Sequence, residues 1–148
     1  MHGPSSADED HEGEAREGVP GEDGRDTTTM RGRRAEDVAR RYLERAGLEL
    51  VTRNYRCRAG ELDLVMFEPT TRTLVIVEVR SRARGDFGSA ASTIGFAKQR
   101  RIILAARHLL MTRRELRKLR ARFDVVALDP ATRGGCSLTW IRGAFESV

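Results

Sequence analysis

Cysteine, aromatic residues and long apolar runs are all scarce in this 148-residue chain. Its two cysteines, Cys57 and Cys136, stand far apart and in no CxxC or Cys/His grouping. Neither a disulfide framework nor a structural zinc site is expected, and reduced thiols are the default. Phe, Trp and Tyr make up 5% of the residues, which argues against reading single strands by base stacking. No stretch approaches the roughly 18 apolar residues of a membrane span, so no membrane association is expected. The polar, acidic start offers no basic segment followed by an apolar one. No signal peptide is expected, and the cytoplasm is the expected compartment. A hydrophobic fraction of 39% and a mean hydropathy of −0.50 are lean but enough for one packed core, and the length fits one domain.

What the chain does have is charge, unevenly spread. Residues 1–26 hold nine acids against two bases, a charge of −7; since the whole chain is +5, residues 27–148 carry +12. The first segment has almost no large apolar residue to offset its ordering entropy, so residues 1–30 are expected to be a disordered acidic tail. Such a tail is either a solvated extension without a role or a polyanion that competes with nucleic acid for the basic body. The body has the composition of a phosphate-binding surface, although Arg-rich composition also arises without one.

Apolar residues Ala35, Val38, Ala39, Tyr42, Leu43 and Ala46 step by three and four, predicting an amphipathic helix that Gly47 ends. Leu48–Tyr55 reads as a strand. Glu61–Glu68 and Thr73–Arg80 read as a hairpin around the turn-type residues 69–72. Its second run, Leu74-Val75-Ile76-Val77, is apolar on both faces and suits a central strand. Residues 81–90 read as a mobile basic loop. A second helix is expected from about Ile94 to Met111, with Ile102, Ile103, Ala106, Leu109 and Leu110 inward and Lys98, Arg101 and His108 on the other side. A short basic helical segment around Arg113–Leu119 and strands at Arg122–Leu128 and Leu138–Ile141 complete an α/β layer fold with a mixed sheet.

The hairpin carries the chemistry. With a four-residue loop, opposed positions sum to 141, which sets Asp63 across from Glu78 and Glu61 across from Arg80. Two acids facing each other on apolar strands raise one another's pKa unless a cation neutralises both. A divalent ion held by Asp63 and Glu78 is one solution. The donors would all be oxygen, which favours Mg²⁺ or Mn²⁺ over zinc. The alternatives are a plain Glu61–Arg80 ion pair with Asp63 bonded to backbone, Arg56 or Arg58, or a one-residue slip that separates the acids. Glu36 lies near Leu43 in helical projection, at the edge of the apolar stripe, whereas Asp37 is expected to face water.

Four segments, Arg33-Arg34-Ala35-Glu36-Asp37-Val38-Ala39, Arg53-Asn54-Tyr55-Arg56, Gly60-Glu61-Leu62-Asp63-Leu64-Val65 and Val77-Glu78-Val79-Arg80-Ser81-Arg82, together resemble the bacterial YraN-like family. Phe87-Gly88, Lys98-Gln99-Arg100-Arg101 and Arg122-Phe123-Asp124-Val125-Val126 match as well. That family is regarded as related to the PD-(D/E)XK nucleases, near archaeal Holliday junction resolvases. The resemblance implies a restriction-endonuclease-like domain over residues 31–148 and Mg²⁺-dependent (or Mn²⁺-dependent) phosphodiester hydrolysis on branched or structured DNA. It implies that Asp63 is the motif aspartate, Glu78 the acid of the E-x-K element and Glu36 the helix glutamate that completes many such metal sites. Arg80 stands where the nuclease pattern has lysine. Arginine does not give up its proton, so the resemblance leaves Arg80 the role of phosphate neutraliser rather than base. Lys98 is the candidate replacement ammonium, with Arg82, Arg84 and Arg101 as further backbone contacts. Relatives of this kind often act as dimers. The competing function is a catalytically inactive module of the same fold that binds nucleic acid or a protein partner.

Overall fold

Leu74, Val75, Ile76 and Val77, each no more than 1% exposed, sit at the middle of the sheet. The computed structural model describes residues 24–81, 94–130 and 134–146, with side chains from residue 32 onward. Five strands, β1 (Glu49–Cys57), β2 (Gly60–Glu68), β3 (Thr73–Ser81), β4 (Arg120–Pro130) and β5 (Cys136–Phe145), lie in the order β1-β2-β3-β4-β5. All neighbours are antiparallel except β3 and β4, which run parallel. A parallel pair needs a crossover connection, and helix α2 (Phe96–Thr112) lies in it. Helix α1 (Gly24–Arg45) precedes the sheet, and a 3₁₀ turn at Arg114–Leu116 leads into β4. The chain forms two compact units, 1–31 and 32–148, and all five strands and α2 belong to the second. Of the expected tail, residues 1–23 lie outside the described residues and 24–30 are helical backbone. The expected basic loop lies outside them too, apart from Ser81.

Each face of the sheet has its own cluster. Leu74, Ile76, Leu62, Val65 and Phe123 join Ile102, Ala105, Ala106 and Leu109 of α2. Val75, Val77, Leu64, Met66 and Val126 join Ala39 and Leu43 of α1. The result is an α/β fold, a mixed five-stranded sheet flanked by two helices. No described helix is long and apolar enough to cross a membrane.

Several elements differ from their sequence-based expectation. The buried ridge of α1 is narrower, Ala35, Ala39 and Leu43 in i,i+4 steps, while Val38 and Tyr42 are 37% and 44% exposed. Two alanines let the helix approach closely, which leaves its larger flanking side chains outside; Tyr42 turns edge-on to Trp140 instead. Gly47 does end the helix, at φ 99, with Gly47 N–H donating to Glu44 O and Leu48 N–H to Leu43 O, both at 3.0 Å. The expected helical segment at 113–119 shrinks to one 3₁₀ turn. Strand β5 is ten residues rather than four, because an edge strand with largely exposed side chains carries little apolar alternation.

Candidate active site at the split between β2 and β3

The hairpin register is the expected one from Glu68↔Thr73 to Leu64↔Val77. There the ladder stops. Asp63 and Glu78 are not paired backbone to backbone, nor are Glu61 and Arg80. Glu61 lies opposite Arg56 on β1 instead, with a 2.7 Å ion pair. The cause is local. Leu62 and Val65 belong to the α2-side cluster, but Leu64 and Met66 to the α1-side one. Strict alternation would place 62 and 64 on one face, so β2 switches faces at Asp63. The neighbouring strand switches beside it. Asn54 has φ 52, a left-handed conformation that asparagine tolerates. Arg53 consequently reaches the acids of α1, while Tyr55 packs on the α2 side.

At the switch the Asp63 carboxylate takes over part of the interrupted ladder, accepting the Val79 N–H at 2.9 Å. This backbone bond, one of the alternatives weighed from sequence, coexists with an acid pair. The charge of Asp63 and a side-chain hydrogen bond between the two carboxyls both act on Glu78. The side chain of Glu78 is 5% exposed. Burial first, and then the charge of Asp63, push its carboxyl up to about 7, against the opposing pull of Lys98. Lys98 Nζ lies 2.5 Å from Glu78 Oε1, reaching in from α2 with its own side chain 44% exposed. Lys98, expected on the open face of the second helix, keeps its side chain 44% exposed and is at the same time the partner of the buried acid.

Glu36 approaches from the opposite face. With its amide nitrogen turned toward the acid, Asn54 donates to Glu36 Oε2 at 3.0 Å and to Oε1 at 3.3 Å. Burial and the nearby Asp63 raise the Glu36 carboxyl. Asp37, expected to face water, pairs with Arg53 at 3.2 Å. The three acids therefore form a chain, Glu36 to Asp63 to Glu78, running through the split from one face to the other. Among the described residues no three His, Cys, Asp or Glu side chains are grouped to hold an ion by themselves.

A cleft of about 250 Å³ opens over the pair, floored by Gly60, Glu61, Asp63 and Glu78 and walled by Lys98, Arg101 and Ile102. Gly60 sits so close to α2 that a Cβ there would lie 3.2 Å from the Cβ and carbonyl oxygen of Arg101. Arg80, half-buried near the end of β3 and in register with Ala127, does not line the cleft. Arg82 and Arg84 lie outside the described residues.

Sequence reasoning missed a second buried charge cluster. Arg122 donates to Asp124 through Nε and Nη2 at 2.9 and 3.0 Å, and to Glu68 through Nη1 and Nη2 at 2.9 and 3.3 Å. Asp124, fully buried, also accepts from Trp140 Nε1 and Gly143 N–H, both at 2.9 Å. The Arg122 hydrogen bonds hold the Glu68 carboxyl below its usual range. The alternating polar residues Arg122 and Asp124 in an otherwise apolar strand were the available signal.

Residues 35–128, which contain every strand of the split and both acids of the pair, match the family described as "Uncharacterised protein family UPF0102". A UPF0102 protein of Cupriavidus taiwanensis is 52% identical over 117 residues, 79% of this chain and 83% of its own. One from Dechloromonas aromatica is 48% identical over 122 residues, covering 82% and 93%. One from Pseudomonas putida is 44% identical over 118 residues, covering 80% and 94%. With a match over most of the folded unit and relatives aligned along nearly their whole length, this chain belongs to the UPF0102 family, the YraN-like group.

Proposed function

We propose that the protein is a metal-dependent, endonuclease-like enzyme that hydrolyses phosphodiester bonds in branched or otherwise structured DNA, on a restriction-endonuclease-like fold. The observation that carries this is the under-neutralised acid pair, Asp63 and Glu78, at the floor of a cleft walled by Lys98 and Arg101. Folding gains nothing from placing two carboxylates together at a buried split, and such perturbed groups mark functional sites.

The donor set suits Mg²⁺ or Mn²⁺. Mg²⁺ usually keeps several waters and takes one or two carboxylates plus substrate phosphate, so two protein donors are enough. Asp63 and Glu78 would hold the ion, which supplies charge neutralisation at the scissile phosphate and an acidified water. Glu36, bonded by Asn54 and Arg53 on the α1 side and near enough to Asp63 to be raised by its charge, is the third acid of the proposed metal site. Lys98 and Arg101 face an incoming phosphate, and Arg80, with Arg82 and Arg84, adds positive charge further along the chain. Action as a dimer on paired strands belongs to the same proposal.

The test is cleavage of a branched and a nicked duplex with Mg²⁺ or Mn²⁺, comparing wild type with Asp63→Ala. Metal-dependent cleavage lost in the variant, with DNA binding kept, is the expected result. A second reading, a catalytically inactive module that binds nucleic acid or a protein, has two observations in its favour: Arg80 cannot act as a base, and Lys98 is engaged on Glu78. It predicts no cleavage by wild type and tighter DNA binding by Asp63→Ala, since an acid facing phosphate is removed.

A further inference from the structure

We infer that Lys98 is a built-in counter-cation whose ammonium holds the acid pair until a divalent ion displaces it, so that metal uptake is gated by this side chain. The inference rests on the metal reading above and concerns its regulation. Nζ lies 2.5 Å from Glu78 Oε1, on an oxygen that the ion would need. An ammonium and a divalent cation on one buried carboxylate repel strongly, since little water lies between to screen them. The two therefore compete for the position.

Lys98 is built to leave. Its side chain is 44% exposed against 5% for Glu78, so it enters from the open mouth of the cleft and can withdraw the same way. It is the third residue of α2 after Gly95, in a first turn that holds no acid. A cation there opposes the helix dipole, so position in the helix does nothing to hold it. The residue type also matters. Of the 27 basic residues, 25 are arginine and two, Lys98 and Lys118, are lysine. A guanidinium would grip the carboxylate with a planar fork, whereas an ammonium on a flexible stem is a point charge that moves away easily. Once displaced, Lys98 remains beside Arg101 at the cleft wall, where an anionic substrate would receive it. Metal and phosphate then promote each other's binding by the same factor.

The experiment is calorimetric titration of the full-length protein with Mg²⁺ at pH 8.5, where carboxyl protons no longer compete, for wild type, Lys98→Gln and Lys98→Arg. Lys98→Gln should bind Mg²⁺ about tenfold tighter than wild type or better, and Lys98→Arg no tighter than wild type. Metal binding that is unchanged or weakened in Lys98→Gln, or equally tightened in Lys98→Arg, overturns the gate while leaving the metal reading intact. No binding by any of the three overturns both. Circular dichroism checks the folding of each variant, and a wild-type measurement stands independent of it. Protein labelled at lysine Cε gives two signals, and the Lys98 signal must move with metal occupancy while that of Lys118 stays. A stationary Lys98 signal during saturation overturns the inference.

Discussion

Glu78→Gln should make the metal-free protein more stable at alkaline pH and leave it unchanged at acid pH. The Glu78 carboxyl is raised from 4.5 to about 7 in the folded chain. Between those values the folded state binds a proton that the unfolded state has released, so stability falls as pH rises from about 4.5 to about 7 and levels off above. A difference of that size corresponds to about 3 kcal/mol, at roughly 1.36 kcal/mol per pH unit. The side chain is 5% exposed, so solvent screening takes little of it away. Glutamine keeps the shape, still accepts a hydrogen bond from Lys98, and cannot ionise. Urea unfolding followed by circular dichroism from pH 5 to 8.5 should show the variant matching wild type at pH 5 and exceeding it by about 2–3 kcal/mol at pH 8. The wild-type-minus-variant difference isolates Glu78 from Glu36, which slopes in the same direction. A difference that stays flat across this range would refute the account of the acid pair.

Other perturbations separate site from scaffold. Gly60→Ala puts a Cβ 3.2 Å from the backbone of Arg101, so α2 must shift; a loss of about 1–3 kcal/mol in thermal or chemical unfolding is expected, and an unchanged midpoint would show the approach to be slack. Arg122→Met strips the shared cation from buried Glu68 and Asp124 and should cost about 3–5 kcal/mol at pH 7. That cost should shrink below pH 4.5, because the native state holds Glu68 ionised there; a cost under 1 kcal/mol at pH 7 would contradict the network. If DNA sits on the cleft wall, Arg101→Ala should lower the log–log salt slope of duplex binding by about 0.9, and an unaltered slope would remove Arg101 from the interface.

Much of the architecture can be read from the chain because its strongest signals are local. The Leu74–Val77 run is apolar on both faces and sits at the sheet centre, the 69–72 turn sets the hairpin register, and Gly47 ends α1. The split is different. No sequence spacing announces that β2 changes face at Asp63, beside Asn54 of the adjoining strand at φ 52. An uninterrupted ladder therefore gave the right acid pair, Asp63 and Glu78, by the wrong geometry, and gave Glu61 the wrong partner. Helical periodicity put Lys98 on the open face of α2, where its side chain is 44% exposed, but carries no information that a residue at a helix start also leans over a neighbouring strand. The Arg122 network escaped for a related reason: it joins β2, β4 and β5, and its meaning appears only when the strands are assembled.

The two acid clusters explain why one is scaffold and the other a candidate site. Around Glu68 and Asp124 stand two guanidinium groups, Arg122 and Arg142, together with Trp140 Nε1, the Gly143 N–H and Thr71 Oγ1. Charge balances, donors are supplied to both carboxylates, and Glu68 is held below its usual ionisation range. Around the split, Glu36, Asp63 and Glu78 share Lys98 and an Arg53 that Asp37 also claims. Negative charge is in surplus, and both affected glutamates are raised rather than lowered. Burial alone does not distinguish the clusters, because each contains an acid nearly sealed from water. The sign of the shift does. A cluster that folding has neutralised has nothing left to offer a ligand, whereas one left with excess charge is stabilised by whatever cation reaches it. The position at which this chain tolerates that deficit is also where its ladder opens, its helix stands within contact of a glycine, and one of its two lysines is stationed.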